Sequence, residues 1–206
     1  VATVHASNAV GTINPVRQIA EMAHAAKALY VVDAVQSAPH IPIDVQAIGC
    51  DFLLCSAYKF FGPHIGVMWG RYELLADLPV YKVRPSKDKP PYRWETGTPS
   101  FETIAGVGAA VGYLASIGRV HGADYASQFP GFSGSRLTIK TAMAAVGAHE
   151  REQVFESPEL PMRPVMLSVF PQLFLPKMVT RRRLLLNISL NNTSMSGMVI
   201  TTLWKL

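Results

Sequence analysis

The sequence predicts an α/β fold in which helices cover a mostly parallel sheet. Three observations carry the prediction. Two short, unbroken apolar runs, residues 29–32 and 52–55, have the length and character of strands buried on both faces. Stretches of helical periodicity lie around them. Asp33, Gln36, Ser56 and Lys59 all fall just past the carboxyl ends of those runs, where open α/β sheets bind their ligands.

Each element follows in order. Residues 1–6 read as the end of a strand. Asn14 and Pro15 read as a helix start, with Asn at the N-cap and Pro at the first helical position. Residues 16–27 place Ile19, Met22, Ala23 and Ala26 on one helical face. The run at 29–32 ends in Asp33. Asp44 is placed to cap a short turn through Ala47, before the second buried strand at 52–55. Residues 66–69 return as a third strand, and 79–93, rich in Pro and Lys, read as an exposed loop. Ser100 is placed to cap a helix from Phe101 to about Ser116, with Gly118 as its stop. Its many Ala and Gly residues predict close helix packing. A further helix is expected over 135–150, and there are no internal repeats.

Composition narrows the class. A chain of 206 residues builds one core, or one domain and part of another. No apolar run reads as a transmembrane span, and the opening VATVHASN is no signal peptide. The first residues read as the inside of a strand without an initiator Met, so the chain reads as a fragment lacking its N-terminal part. Cys50 and Cys55 match no metal spacing and read as buried reduced thiols of a cytoplasmic protein. The net charge of +5 is concentrated in residues 151–206, which hold seven Lys/Arg against three Asp/Glu. Arg181, Arg182 and Arg183 lack the aromatic interleaving of a nucleic-acid surface. No G-x-G-x-x-G or phosphate-loop motif is present, which argues against a nucleotide-binding module.

The strand-end residues match the needs of an amine-transforming aldehyde cofactor. Such chemistry requires a lysine to form an imine, a carboxylate against the ring nitrogen and donors around a phosphate. Lys59 follows one buried strand, and Asp33 ends its neighbour. Each also has an ordinary reading. Asp33 can form a turn, Lys59 can be solvated, and Gln36 and Asn8 can bond within loops. Ser56 can bond local backbone, and His40 and His64, near prolines, can be structural.

The stretch VVDAVQSAPHIPIDVQAIGCDFLLCSAYKFFGPHIGVMWGR resembles the cofactor-binding segment of cysteine desulfurases and their class V aminotransferase relatives. HASNAVGTINPV resembles that family's SN-x-x-GT strand end, and RWETGTPSFETIAGVGAAV its E-x-GTP segment. Together they cover about residues 1–150. The resemblance implies part of the large domain of a fold type I pyridoxal-phosphate enzyme. It implies Lys59 as the Schiff-base lysine and Asp33 as the partner of the pyridinium nitrogen. Gln36 and Asn8 would lie near the ring oxygen, and Ser56 would donate to the phosphate. Gly97 and Thr98 would reach a partner subunit's phosphate, which implies a homodimer with shared sites.

The sequence also departs from the family. Tyr58 stands where desulfurases commonly carry His before the lysine. The upstream phosphate turn, the ring-stacking residue and the substrate-carboxylate arginine have no counterpart. No mobile-loop cysteine is identifiable, and Cys55, four residues before Lys59, is wrongly placed for a persulfide. The expected function is therefore a pyridoxal-phosphate enzyme acting on an amino acid, with desulfurase, lyase, transaminase and epimerase outcomes open. The alternative is an inactive chain lacking the front of the site and the small domain.

The likeness stops near Glu150. The tail scatters prolines among apolar residues with poor patterning. Permitted codons for residues 177–206, read in a shifted frame, spell NGHPPQAIAEYLAQQHLDVWDGNYYALE, a helix-and-strand string resembling the family's small domain. Residues beyond about 150–158 thus read as translated out of frame. The expected divisions are a partial cofactor-binding large domain at 1–134, a helix toward a small domain at 135–150, and an aberrant tail at 151–206.

Overall fold

The computed structural model describes residues 1–95, 97–156 and 198–199. The sheet is built from β1 (Ala2–Val4), β2 (Val31–Asp33), β3 (Phe52–Ser56), β4 (Gly66–Gly70) and β5 (Met198–Val199), in that spatial order. β1, β2 and β3 run parallel, with Val4 beside Asp33 and Asp33 beside Leu54. β4 returns antiparallel to β3, and β5 lies parallel to β4. The mixed α/β sheet is mostly parallel, as the apolar runs predicted.

α1 (Val16–Ala25) crosses from β1 to β2, and the single-turn α2 (Val45–Ile48) crosses from β2 to β3. Alternation divides the strands between two apolar layers. Val32 and Leu53 face Val16, Ala20 and Ala23 of α1 in one core, with Tyr30, Ala34 and Cys50. Phe52 and Met68 face the other way, against Leu75 of α3 (Tyr72–Asp77) and Trp94. A third cluster joins Ala57, Ile65 and Val67 to Ile104 and Val107 of α4 (Phe101–His121).

Several expectations need correction. Met22 is 71% exposed. The buried spacing in α1 is Val16, Ala20, Ala23, and Met22 lies about 200° around the helix from Ala20. Asn14 does not cap α1. The N-cap is Pro15, and the Asn14 amide donates to the Val4 carbonyl at 2.8 Å, tying the loop to β1. Ser100 occupies the N-cap of α4 without a capping hydrogen bond from its side chain. Asp44 does cap α2, accepting from Gln46 N and Ala47 N. α3 was not foreseen in the sequence; it is short, and a single buried leucine, Leu75, anchors it.

Gly118 does not stop α4, which runs on to His121. A Cβ at Gly118 would lie 1.9 Å from the Thr138 carbonyl oxygen of α5 (Gly134–Glu156). The glycine is therefore an approach point between helices, as the small-residue content predicted, and not a terminator. At 21 residues and hydropathy 1.3, α4 is long and apolar enough to cross a membrane by length and composition, contrary to the sequence expectation. Its Ile104 and Val107 contacts, and the fit of Gly118 to α5, show apolar and small residues spent on packing within the protein. α5 extends to Glu156, beyond the expected 150. The rest of the proposed aberrant tail, apart from β5, lies outside the described residues.

Candidate functional site

The carboxyl ends of three parallel strands open on one edge of the sheet. β1 leads into the turn at residues 7–11, in which Ser7 Oγ accepts from Ala9 N at 3.2 Å and Val10 N at 3.3 Å. Asn8 is exposed on that turn. β2 ends in Asp33, whose Oδ1 accepts from Val35 N at 2.9 Å. That bond fixes the carboxylate at the strand end. The chain then winds into a turn carrying Gln36, closed by Ala38 N to Ala34 O and Ile41 N to Ser37 O, both 2.8 Å. β3 ends in Ser56, which begins the short 3-10 helix Ala57–Phe60 bearing Lys59. The Ser56 side chain makes no capping hydrogen bond there.

Local backbone geometry holds Lys59. Phe61 takes a left-handed φ of 70°, which costs a non-glycine residue about 1 kcal/mol. An edge-on contact with Tyr113 of α4, at 5.2 Å between ring centroids, supports it. The Gly62 amide then donates to the Ala57 carbonyl at 2.8 Å. A Cβ at Gly62 would come within 2.8 Å of Ala57 Cβ, so only glycine closes this turn without displacement. The Lys59 ammonium lies 5.1 Å from the Tyr58 ring centroid, and Tyr58 stacks on His64 at 4.8 Å. Tyr58 is thus an aromatic neighbour of the lysine, and His64 supports that ring.

The structure therefore sets Asn8, Asp33, Gln36, Ser56 and Lys59 at or after the carboxyl ends of β1, β2 and β3. Gly97 and Thr98 are exposed, and no atom comes within 4 Å of a Cβ built on Gly97. Among the described residues, nothing ties that pair to the strand-end group. Burial raises the carboxyl of nearby Glu95 above its ordinary value.

His5 was not singled out in the sequence. Its amide donates to the Asp33 carbonyl at 2.8 Å, so it sits directly beside β2. The ring is 8% exposed and its Nδ1 has no hydrogen-bond partner. Burial lowers its pKa below the ordinary histidine value, which favours the neutral ring. A histidine just past a strand gives no sequence signal of this kind, because its burial depends on how the neighbouring elements pack.

The thiols are unsuited to nucleophilic work. Burial pushes Cys55 up to about 11, and the Asp33 carboxylate adds to the shift. Burial pushes Cys50 up to about 11 as well. Both are thiols at neutral pH, and nucleophilic sulfur requires the thiolate.

The arrangement fits a phosphorylated pyridine aldehyde at three points. Asp33 presents a carboxylate anchored by backbone, whose charge is felt at Cys55 on the next strand. Ser56 has a hydroxyl uncommitted to capping, and Lys59 is a primary amine on a constrained turn. The described residues contain no cluster of three or more metal-ligating side chains.

Comparison with known proteins agrees with the motifs. The family model described as aminotransferase class-V matches residues 1–153. A probable cysteine desulfurase of Streptomyces coelicolor is 44% identical over 130 residues, 57% of this chain and 31% of that protein. A probable cysteine desulfurase of Halalkalibacterium halodurans is 37% identical over 163 residues, 73% of this chain and 40% of that protein. The apo structure of a cysteine desulfurase from Thermococcus onnurineus superimposes with a TM-score of 0.55 at 26% identity, over 75% of this chain and 36% of that one. The matched part spans less than half the length of each of these relatives.

Proposed function

The chain belongs to the class V aminotransferase family, and from that premise we propose that it holds pyridoxal phosphate through Lys59 and acts on an amino acid in the desulfurase-like manner. The observation that carries the reading is the placement of Asp33 at the carboxyl end of β2 and of Lys59 just past that of its parallel neighbour β3. When bound, the cofactor supplies an electron sink for a carbanion at the substrate's Cα.

The remaining work falls to the chain. Asp33 would hold the pyridine nitrogen and favour its protonated form by Coulomb attraction. Lys59 would be the residue that holds the cofactor, and its amine would serve as the general base at the substrate's Cα. Ser56 donates to the phosphate, while Asn8 and Gln36 bond near the ring oxygen. Gly97 and Thr98 serve the phosphate of a second copy, so the working unit is a homodimer. The substrate is a small amino acid, and cysteine is favoured by the names of the relatives. Release of sulfide from cysteine tests that choice. No release places the chemistry with another outcome of the family, because neither Cys50 nor Cys55 is a ready nucleophile.

The test of the site is direct. Titrating the purified chain with pyridoxal phosphate is expected to produce an absorbance band near the visible edge, and Lys59→Ala to abolish it. Absence of the band in the unaltered chain overturns the reading and leaves an inactive chain of the same family. For the tail, the family match ends at residue 153, and residues beyond about 150–158 are read as translated out of frame. The coding DNA decides it: the shifted frame must spell the helix-and-strand string, and otherwise the tail is a genuine divergent one.

A further inference from the structure

The turn that carries Gln36 is held from an unexpected direction. His40 Nδ1 lies 2.7 Å and 2.9 Å from the two carboxylate oxygens of Glu150 on α5, across 110 positions of sequence. The two side chains are only 9% and 22% exposed. Opposing a carboxylate, Nδ1 carries the proton and donates it, which fixes the ring's orientation.

The pair borders a cleft. A cavity of about 200 Å³ separates the turn from α5, lined by Gln36, Ser37 and His40 on one side and by Gly147, Glu150 and Arg151 on the other. Beside it the two surfaces meet: a Cβ built on Gly147 would lie 3.5 Å from the His40 carbonyl oxygen, an ordinary van der Waals contact. The charge-assisted hydrogen bond adds a directional attachment to that contact. A second polar clasp, Lys140 Nζ to Asp44 Oδ2 at 3.0 Å, ties the same helix to the cap of α2. The connection from β2 to α2 is thus pinned to α5 at two points, His40 and Asp44.

We propose that Glu150 is a positioning residue for the candidate site: through His40 it holds residues 34–41, and hence Gln36, at the carboxyl end of β2. The proposal rests on the cofactor reading for its consequence, though not for the pinning itself. The Glu150 carboxylate bonds His40, which is not among the proposed cofactor ligands.

Hydrogen exchange of the whole chain without cofactor separates the two. The amides of Ala38, His40 and Ile41 are bonded within the turn and have protection to lose. In Glu150→Ala they are expected to exchange about tenfold faster, while those of β2 and β3 are unchanged. Glu150→Gln keeps an acceptor for Nδ1 and is expected to stay within about twofold of the unaltered chain. If Glu150→Ala fails to fold, His40→Phe, which keeps a buried ring but cuts the bond, must show the same local loosening. Unchanged protection in these variants overturns the proposal. The second arm titrates pyridoxal phosphate: Glu150→Ala is expected to bind about tenfold more weakly, and Glu150→Gln normally. Loosening with unchanged cofactor affinity overturns the positioning role. If the unaltered chain binds no cofactor, the functional reading fails while the exchange arm still decides the pinning.

Discussion

The two edges of the sheet are built on opposite principles. At the amino edge, Asp51 is 3% exposed and its carboxylate is saturated. Oδ2 meets His24 Nε2 at 2.9 Å and accepts from Tyr30 N at 2.7 Å, while Oδ1 meets Arg71 Nε at 3.2 Å. Arg71 also donates to the carbonyls of Gly49 and Cys50. At the carboxyl edge, Asp33 receives its own turn's Val35 amide, Ser56 leaves its cap unmade, and His5 Nδ1 is buried without a partner. A saturated polar group near the chain's core stabilises the fold. An edge with polar groups to spare has capacity for a ligand, and its cost in stability is typical of functional sites.

Removing each aspartate should expose the difference most sharply. Asp51→Ala strands the buried Tyr30 amide and removes a partner of the more exposed His24 and Arg71, and is expected to cost about 2–3 kcal/mol. Asp33→Ala loses one turn hydrogen bond, about 1 kcal/mol. Urea unfolding of both variants checks this, and equal losses would erase the distinction between the edges.

A second prediction limits the contrast. The carboxyl edge is sparing with side-chain bonds but not with backbone packing. Gly62→Ala brings a Cβ to 2.8 Å from Ala57 Cβ, and overpacking of that kind costs about 1–3 kcal/mol. Thermal unfolding measures the loss, and slower attachment of pyridoxal phosphate at Lys59 should accompany it.

The smallest expected effect concerns pH. The folded pKa of His5 lies below its unfolded value because burial disfavours the charged ring. The unfolded chain therefore binds more protons, and the stability linked to His5 is complete above about pH 6.5 and lost as pH falls below it. His5→Leu is expected to remove that part of the slope and to be neutral or slightly stabilising at pH 7, since the unpaired Nδ1 goes with it. The difference between the two stability–pH curves, measured in urea, isolates the contribution; a flat difference would mean that the ring is solvated.

Much of this site was legible because its signals are local. Asp33 and Ser56 end apolar runs, and Lys59 follows three residues after one of them, so the period of a strand placed all three at the edge. The Asp44 cap was legible for the same reason: its bonds reach two and three residues on. The errors also have physical causes. Asn14 has the composition of a cap, but the Val4 carbonyl competes for its side chain. Gly118 has the composition of a stop, but α5 approaches there. Met22 counts as apolar in any pattern, yet the small Ala20 and Ala23 form the packed face.

The sequence by itself determined the family, the α/β class and the position of the lysine and carboxylate, because each is written in residues close together along the chain. Only the tertiary structure decided that His5 is buried beside Asp33, that Cys55 feels the Asp33 charge, and that Glu150 grips His40 across 110 positions. Those facts depend on desolvation and on contacts between distant elements. No spacing rule encodes them, since burial and electrostatic partners exist only after the strands and helices have packed.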